Sequence, residues 1–264
     1  MNKPEIWLRG AVAAWEMVID FPLPEPVRRR GAGPVPGGVV LAWFPLIGLL
    51  AGAVIALAAY LVGAVLNPVA GSVLFALLGV LFWDCKDSGR GVALIASLFW
   101  RKLQGEPVVE ALPELDSNVM HVTSIPAAVF LTVLEILKLA LLFLLSFYGA
   151  KFWLGALLAG SFSLQGLLAT RPGRQDAAPL LVLAGAEDQR AFLLTSLVVW
   201  VICFLFFPLA TLAAVLILNL TSGALARGLE RNYGGVTADL ITLSGALAEL
   251  LLLLVGIGGA ITFS

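Results

Sequence analysis

The sequence predicts an all-α, polytopic integral membrane protein built as one helical bundle. Its 264 residues are 60% hydrophobic and 12% charged, and their mean hydropathy is +1.00. Soluble domains are instead about half apolar and about a quarter charged. The apolar residues occur in runs near the ~20 residues that a helix needs to cross hydrocarbon, and such runs must be helical because no water satisfies their backbone. We expect about six or seven transmembrane helices in a single domain, residues 1–264.

The apolar runs define the predicted spans in chain order. They are Val39 to Leu66, Val69 to Trp83, Ile125 to Gly149, Phe152 to Thr170, Phe192 to Thr221 and Leu240 to Phe263. The run that contains Pro208 is longer than one span needs, so it forms either a kinked helix or a hairpin of two short helices. The stretch from Gly91 to Trp100 is too short to span, which predicts a re-entrant or interfacial segment.

Residues 1–37 differ from the bundle that we expect over residues 39–263. Charged residues are interspersed with apolar ones between Ile6 and Ile19, which predicts an amphipathic helix lying on the membrane surface or capping the bundle. The same interspersion, without a small-residue cleavage pattern, argues against a signal peptide. Because prolines and glycines flank Arg28 to Arg30, we expect a flexible basic loop there.

The basic residues predict the orientation. Lysine and arginine close to spans are retained on the cytoplasmic side, and all the basic clusters fall on one face if the run around Pro208 is a hairpin. These clusters are Arg28 to Arg30, Lys86 with Arg90, Arg101 with Lys102, Arg171 with Arg174 and Arg190, and Arg227 with Arg231. The hairpin is therefore favoured. We expect a cytoplasmic (inner) membrane protein whose charged loops and site face the cytoplasm.

Carboxylates are the residues best suited to carry chemistry. Cys85 and Cys203 lie far apart and His121 is the single histidine, so the sequence indicates neither a disulfide framework nor a thiolate or imidazole metal site. Short basic clusters without interleaved aromatic residues argue against nucleic-acid binding.

Asp84 and Asp87 form the sharpest polar cluster, with Lys86 and Arg90 beside them. Their i, i+3 spacing places both carboxylates on one face if the helix continues through them. Such oxygen ligands suit Mg²⁺ bound together with phosphates, and the two cations can hold phosphate oxygens. From spacing alone, a charged helix end at the membrane boundary explains the cluster equally well.

Three ionisable residues lie inside predicted spans. Glu249 is about ten residues into the last run, roughly 15 Å deep, where an ionisable group suggests a functional site. Glu135 and Lys138 are spaced to neutralise each other, so we expect a buried pair facing the bundle. Ionisable residues within spans are also compatible with a small transporter, although no matching pair of discontinuous helices indicates an inverted repeat.

Several motifs occur in an order found in one enzyme family. Residues Phe21 to Pro24 (FPLP) and Phe44 to Gly48 (FPLIG) are followed by the loop Asp116 to Asn118 (DSN) and by Gly234 to Asp239 (GGVTAD), then Glu249. They resemble the Leu-Pro-x-Pro, Phe-Pro-Leu-x-Gly, Asp-Ser-Arg and Gly-Gly-x-Thr-Gly-Asp elements, with a later glutamate, of cobalamin synthase, the membrane enzyme adenosylcobinamide-GDP ribazoletransferase. The resemblance covers most of the chain.

The sequence departs from the family pattern at several polar positions. The family's acidic signature is Asp-Gly-x-x-Asp-x-x-Asp-Gly; Asp84 and Asp87 match its second and third aspartates, and Val80 stands at the first. Further replacements are Asn118 and Gln165 for arginines, Ala238 for a glycine and Ala246 for a glutamate. Losing a carboxylate and two guanidinium groups is expected to weaken metal and pyrophosphate binding.

The resemblance implies cobalamin biosynthesis: Mg²⁺-dependent transfer of the adenosylcobinamide phosphate group from adenosylcobinamide-GDP to α-ribazole or its 5′-phosphate, with release of GMP. It implies that Asp84 and Asp87 ligate the metal and act in catalysis together with Asp239. Substrate binding would fall to Lys86, Arg90, Asp116, Ser117, Thr237 and Glu249. The expected partners are the two substrates and membrane lipid, without nucleic acid, and a homo-oligomer is compatible with the sequence.

The missing motif residues leave an alternative open. In that case the chain is a catalytically impaired family member that binds a corrinoid or nucleotide, or that serves as a subunit of a membrane complex. The absent aspartate and arginines favour this alternative, whereas the retained Asp84, Asp87, Asp116, Asp239 and Glu249 favour an active enzyme.

Overall fold

The computed structural model describes residues 3–19, 22–31, 33–87, 90–103, 125–169, 190–233 and 238–263, and these residues contain helices and no strand. This confirms the all-α prediction. The helices are α1 (Lys3–Val18), α2 (Glu25–Gly31), α3 (Gly37–Val65), α4 (Pro68–Asp87), α5 (Arg90–Leu103), α6 (Ile125–Phe147), α7 (Trp153–Ala169), α8 (Arg190–Phe206), α9 (Pro208–Tyr233) and α10 (Ala238–Phe263).

Four of the described helices are long and apolar enough to cross a membrane. The candidate spans are Gly37–Val65 in α3, Ala128–Phe147 in α6, Pro208–Leu225 in α9 and Ile241–Thr262 in α10. Shorter apolar helices cover Pro68–Trp83, Trp153–Ala169 and Arg190–Phe206. The chain is therefore a helical membrane protein. Its long apolar helices coincide with apolar runs of the sequence.

Helix α7 lies at the centre of the bundle. All its residues except Ser163 and Leu167 are buried, and α3, α8, α9 and α10 pack around it. A helix that is apolar on every side is stable when neighbouring helices cover all of its faces. The composition of α7 thus permits its central position, and the packing of the neighbouring helices decides it.

Small residues bring α3 and α7 into close contact. A Cβ on Gly48 would come within 2.5 Å of the backbone nitrogen of Ala159, and a Cβ on Gly52 would overlap the backbone of Gly155. Membrane helices associate through such small residues because the approach of the two backbones maximises van der Waals contact. The crossing is antiparallel, since the later residue on α3 meets the earlier one on α7.

Two short turns, each between two of the apolar runs, join neighbouring helices. Asn67 caps α4, because its side-chain oxygen accepts a 2.7 Å hydrogen bond from the backbone N–H of Ala70. After α6, the Ala150 N–H donates to the Leu145 carbonyl at 3.0 Å, and Gly149 has a φ of +83°. This is a glycine-terminated helix end, in which a left-handed residue lets the chain reverse.

The run around Pro208 forms a hairpin, which confirms the favoured interpretation. Helix α8 ends at Phe206 and α9 begins at Pro208, whose ring removes a backbone donor. A Cβ on Gly160 would lie 3.3 Å from the Trp200 ring and 3.1 Å from Leu218. In one straight helix those two residues would be about 27 Å apart, so the chain must fold back between them.

The N-terminal segment agrees with one prediction and contradicts another. The predicted N-terminal helix is present as α1 and packs against α3, with the rings of Trp7 and Trp43 6.2 Å apart. The prediction of a flexible loop at Arg28 to Arg30 is wrong, because these residues lie in α2. Ion pairs of Arg28 with Glu16 and of Arg29 with Glu25 stabilise this short helix.

The segment Gly91 to Trp100 lies within α5, which packs against α6 and α10. Val92, Leu94 and Ala96 are buried, whereas Leu103 is exposed. A helix of this length extends about 21 Å, less than a bilayer core. It is therefore too short to span, as expected, and it is continuously helical.

Candidate functional site

The packing of the helices brings most of the predicted polar positions to one end of the bundle. Helices α3 and α7 are antiparallel, and so are α7 and α10, because Trp153 at the start of α7 contacts Leu252 and Gly256 in the second half of α10. Helices α3 and α4 are antiparallel as well, because the position of a Cβ on Gly71 near the start of α4 contacts Gly63 near the end of α3. The end of α4 therefore lies on the same side as the starts of α3 and α10. We call this side the Asp87 end.

Five predicted site residues have their backbones at the Asp87 end. Asp84, Lys86 and Asp87 lie in the last turn of α4, Arg90 begins α5, and Asp239 is the second residue of α10. Because α4 remains helical through Asp87, the i, i+3 spacing places Asp84 and Asp87 on one face, as predicted. Asp116, Ser117 and Thr237 lie outside the described residues.

No group of three or more histidine, cysteine, aspartate or glutamate side chains that could hold a metal ion occurs where the structure describes side chains. The side chains of Asp84, Asp87 and Asp239 are outside that set. The magnesium site thus stays a prediction. Two carboxylates on one helical face are nevertheless the number and type of protein ligand that Mg²⁺ commonly takes.

Glu249 lies in the interior of the protein, between α10 and the central helix α7. It is fully buried, and the Ser161 hydroxyl donates to its Oε1 at 2.6 Å. The same hydroxyl lies 3.2 Å from the Gly245 carbonyl, and a Cβ on Gly245 would overlap the side chain of Gln165. We call Ser161, Gln165, Gly245 and Glu249 the Glu249 seam.

The Glu249 seam is a polar strip in the middle of two apolar helices. Glu249 is about 16 Å from the start of α10 at 1.5 Å per residue, a depth at which an ionisable group is costly unless it is hydrogen-bonded. Glycine at position 245 leaves room for the side chain of Gln165. The role of Glu249 in substrate binding stays a prediction, and its observed contact is structural.

Glu135 and Lys138 form the ion pair that their spacing predicts, but only Lys138 is buried. The Lys138 ammonium lies 2.7 Å from a carboxylate oxygen of Glu135, and the two side chains are 1% and 30% exposed respectively. The ammonium also lies 5.0 Å from the centroid of the Trp83 ring, the residue just before Asp84. Partial exposure of Glu135 means that the pair is not sealed within the protein.

The positions that depart from the family pattern are occupied by residues that pack. Val80 packs against the apolar core, Ala246 is buried, and Gln165 fills the space beside Gly245. Asn118 lies outside the described residues, as does the side chain of Ala238. The described replacements therefore have a structural role in this chain.

Sequence reasoning missed Ser161 and Trp83 as members of polar clusters. One signal was available for Ser161: Ser161 and Gln165 are spaced i, i+4 in one apolar run, and Gly245 and Glu249 have the same spacing in another. Residues four apart share a helical face, so the spacing aligns Ser161 with Gln165 on one helix and Gly245 with Glu249 on the other. No comparable signal marks Trp83.

Two apolar cavities are lined by described residues. One, of about 350 Å³, is lined by the turns after α6 and between α8 and α9, at the end opposite the Asp87 end. The other, of about 460 Å³, lies between α1, α2 and α3 and is also lined by Phe82 of α4.

Comparison of the chain with protein-family models, curated proteins and solved structures finds no match.

Proposed function

We propose that the chain is a membrane phosphotransferase of the cobalamin synthase type. It transfers the adenosylcobinamide phosphate group from adenosylcobinamide-GDP to α-ribazole or its 5′-phosphate and releases GMP. The observation that carries the proposal is the common location of Asp84, Asp87, Arg90 and Asp239 at the Asp87 end. The order of the motifs along the chain, which resembles that family, supports it independently.

In this proposal the residues of the Asp87 end position a diphosphate. Asp84 and Asp87 hold Mg²⁺, which neutralises phosphate charge when bound. Lys86 and Arg90 donate hydrogen bonds to phosphate oxygens, and Asp239 accepts the proton of the attacking ribose hydroxyl. Asp116, Ser117 and Thr237 bind substrate. Glu249 accepts a hydrogen bond from Ser161 and so holds α10 against α7.

The direct test is turnover by the purified protein in detergent with magnesium, adenosylcobinamide-GDP and α-ribazole phosphate. We expect GMP release by the wild type and a loss of about 100-fold or more in Asp84→Asn, because one metal ligand is removed. Glu25→Gln is the matched control, since Glu25 is an exposed carboxylate that pairs with Arg29 in α2. No GMP from the wild type would contradict the proposal.

A second candidate is a family member that binds a corrinoid or a nucleotide without turnover. The packing of Val80 against the core and the burial of Ala246 favour it, because apolar residues there cannot ligate a metal. Equilibrium dialysis with adenosylcobinamide-GDP separates the two candidates. Binding without GMP release would support the second, and release of GMP would exclude it.

For the membrane topology we propose seven spans, namely α3, α4 and α6 to α10. The apolar parts of α4, α7 and α8 are short, but short spans are accommodated by local thinning of the bilayer at a modest cost. Seven spans place the Asp87 end and the basic clusters on one side, and retention of basic residues in the cytoplasm then assigns the Asp87 end to the cytoplasmic face of the inner membrane.

A further inference from the structure

The last turns of α4 lie beside an internal segment of α6. The hydroxyls of Ser72 and Ser146 are 2.9 Å apart, Leu142 contacts the position of a Cβ on Gly79 at 3.0 Å, and Lys138 lies over Trp83. The two helices are therefore antiparallel, because later residues of α4 contact earlier residues of α6. The turn of α4 that carries Asp84 and Asp87 therefore runs alongside α6 near Glu135.

Trp83 and Lys138 present hydrogen-bond donors at this level. Trp83 is 2% exposed, and its indole N–H has no acceptor among the described residues. A buried donor without an acceptor costs roughly 1–3 kcal/mol. The Lys138 ammonium, also buried, faces the same ring. A negatively charged oxygen placed here would accept a hydrogen bond from the Trp83 indole N–H and would be attracted by the Lys138 ammonium.

We propose that Trp83 and Lys138 form an anion site that binds a phosphate oxygen of a diphosphate substrate; this rests on the proposed function. The indole N–H donates a hydrogen bond to the oxygen, and the ammonium adds a charge-assisted one. Glu135, whose side chain is 30% exposed, balances the ammonium when no substrate is bound. The two donors would thus hold the diphosphate just inside the turn that carries Asp84 and Asp87.

The experiment measures binding of GDP with magnesium to the purified protein by equilibrium dialysis. Trp83→Phe retains the ring beneath Lys138 and removes only the donor, so we expect about tenfold weaker binding, the effect of one hydrogen bond to a charged group. Trp43→Phe is the matched control. The buried indole nitrogen of Trp43 also lacks an acceptor among the described residues, but the Trp43 ring packs against α1. The Trp43→Phe variant should bind GDP as the wild type does.

The role of Lys138 is tested with a double variant, so that neither charge of the ion pair is left buried without its partner. The double variant Glu135→Gln with Lys138→Met removes both charges of the pair and should weaken GDP binding at least about tenfold, whereas Lys138→Arg should retain most of it. Thermal melting of each variant verifies folding. Unchanged GDP affinity in Trp83→Phe, or no GDP binding by the wild type, would overturn the inference.

The outcomes separate this site from the proposed reaction. If the wild type releases GMP and Trp83→Phe does so with an unchanged KM, the anion site is refuted and the reaction stands. If GDP binding depends on Trp83 but no GMP forms, the reaction is refuted and the site stands. A Trp83-dependent rise in Tm with phosphatidylglycerol but not with GDP would identify a lipid phosphate instead and overturn the assignment to a diphosphate.

Discussion

The hydrogen bond between Ser161 and Glu249 joins a hydroxyl of α7 to a buried carboxyl group of α10. Glu249 is fully buried, and one of its oxygens accepts from Ser161 at 2.6 Å. Burying a carboxyl group in an apolar bundle is costly unless hydrogen bonds compensate for the lost water. The Ser161 hydroxyl is therefore expected to contribute to the stability of the folded protein.

Replacing Ser161 with alanine is expected to lower the free energy of unfolding by about 1–2 kcal/mol, because one oxygen of a buried carboxyl group loses a hydrogen-bond donor. Ser163→Ala is the control: the Ser163 hydroxyl bonds the Ala159 carbonyl of its own helix, and its loss should change stability by less than about 0.5 kcal/mol. Unfolding in mixed detergent micelles measures both. Equal effects of the two replacements would contradict this account of the Glu249 seam.

Candidate site residues differ in how far the sequence predicts them. Glu249 and the pair Glu135–Lys138 are identifiable because an ionisable group in an apolar run is conspicuous. Their partners are not, since Ser161 is 88 positions from Glu249, and nothing local to Trp83 indicates that a lysine of another helix lies over its ring. Contacts between distant segments require the packing of the bundle.

At the scale of elements, the crossing of α3 and α7 depends on glycine. Gly48 and Gly52 are four residues apart and face the same side of α3, where the backbone of α7 leaves no room for a Cβ. The sequence shows this small-residue spacing, but many apolar helices contain it. Its partner, the stretch from Gly155 to Ala159, becomes evident only in the folded chain.

Gly52→Ala should destabilise the protein by about 1–3 kcal/mol, because the added methyl group would force the two backbones apart. Gly258→Ala is the matched control in α10, where a Cβ would meet no atom within 4 Å. It should be neutral or stabilising by up to about 1 kcal/mol, since alanine is the better helix former. A neutral Gly52→Ala would show that this crossing is looser than described.

The turn after α6 makes a separate prediction. Gly149 has a φ of +83° and open space around the position of a Cβ, so only backbone strain opposes a larger residue. Gly149→Ala should lower the free energy of unfolding by about 1 kcal/mol, and Gly149→Asn by less, because asparagine tolerates the left-handed region. Thermal unfolding of the two variants should show this order.

At the scale of the whole molecule, the proposed seven spans place the two ends of the bundle on opposite sides of the membrane. The Lys151 turn and Phe207 lie away from the Asp87 end, whereas Arg190 begins α8 at that end. This arrangement requires the hairpin of α8 and α9, since a single kinked helix would leave Phe207 near the middle of the bilayer.

Labelling with a membrane-impermeant maleimide tests the topology. In a background with Cys85 and Cys203 replaced by serine, we expect Lys151→Cys and Phe207→Cys to react in intact cells, and Arg190→Cys to react only after permeabilisation. The physical reason is retention of the basic clusters in the cytoplasm. Reaction of Lys151→Cys and Arg190→Cys from the same side would refute the proposed spans.

The sequence by itself determined that this is a helical membrane protein and that the chain reverses at Pro208, because hydropathy and the proline ring act locally. It misassigned Arg28 to Arg30, whose helix is stabilised by an ion pair with Glu16 in another helix. Only the tertiary structure decided that α7 is central and that α7 supplies the hydroxyl for Glu249. A uniformly apolar helix has no distinct face from which its neighbours can be predicted, so packing alone selects them.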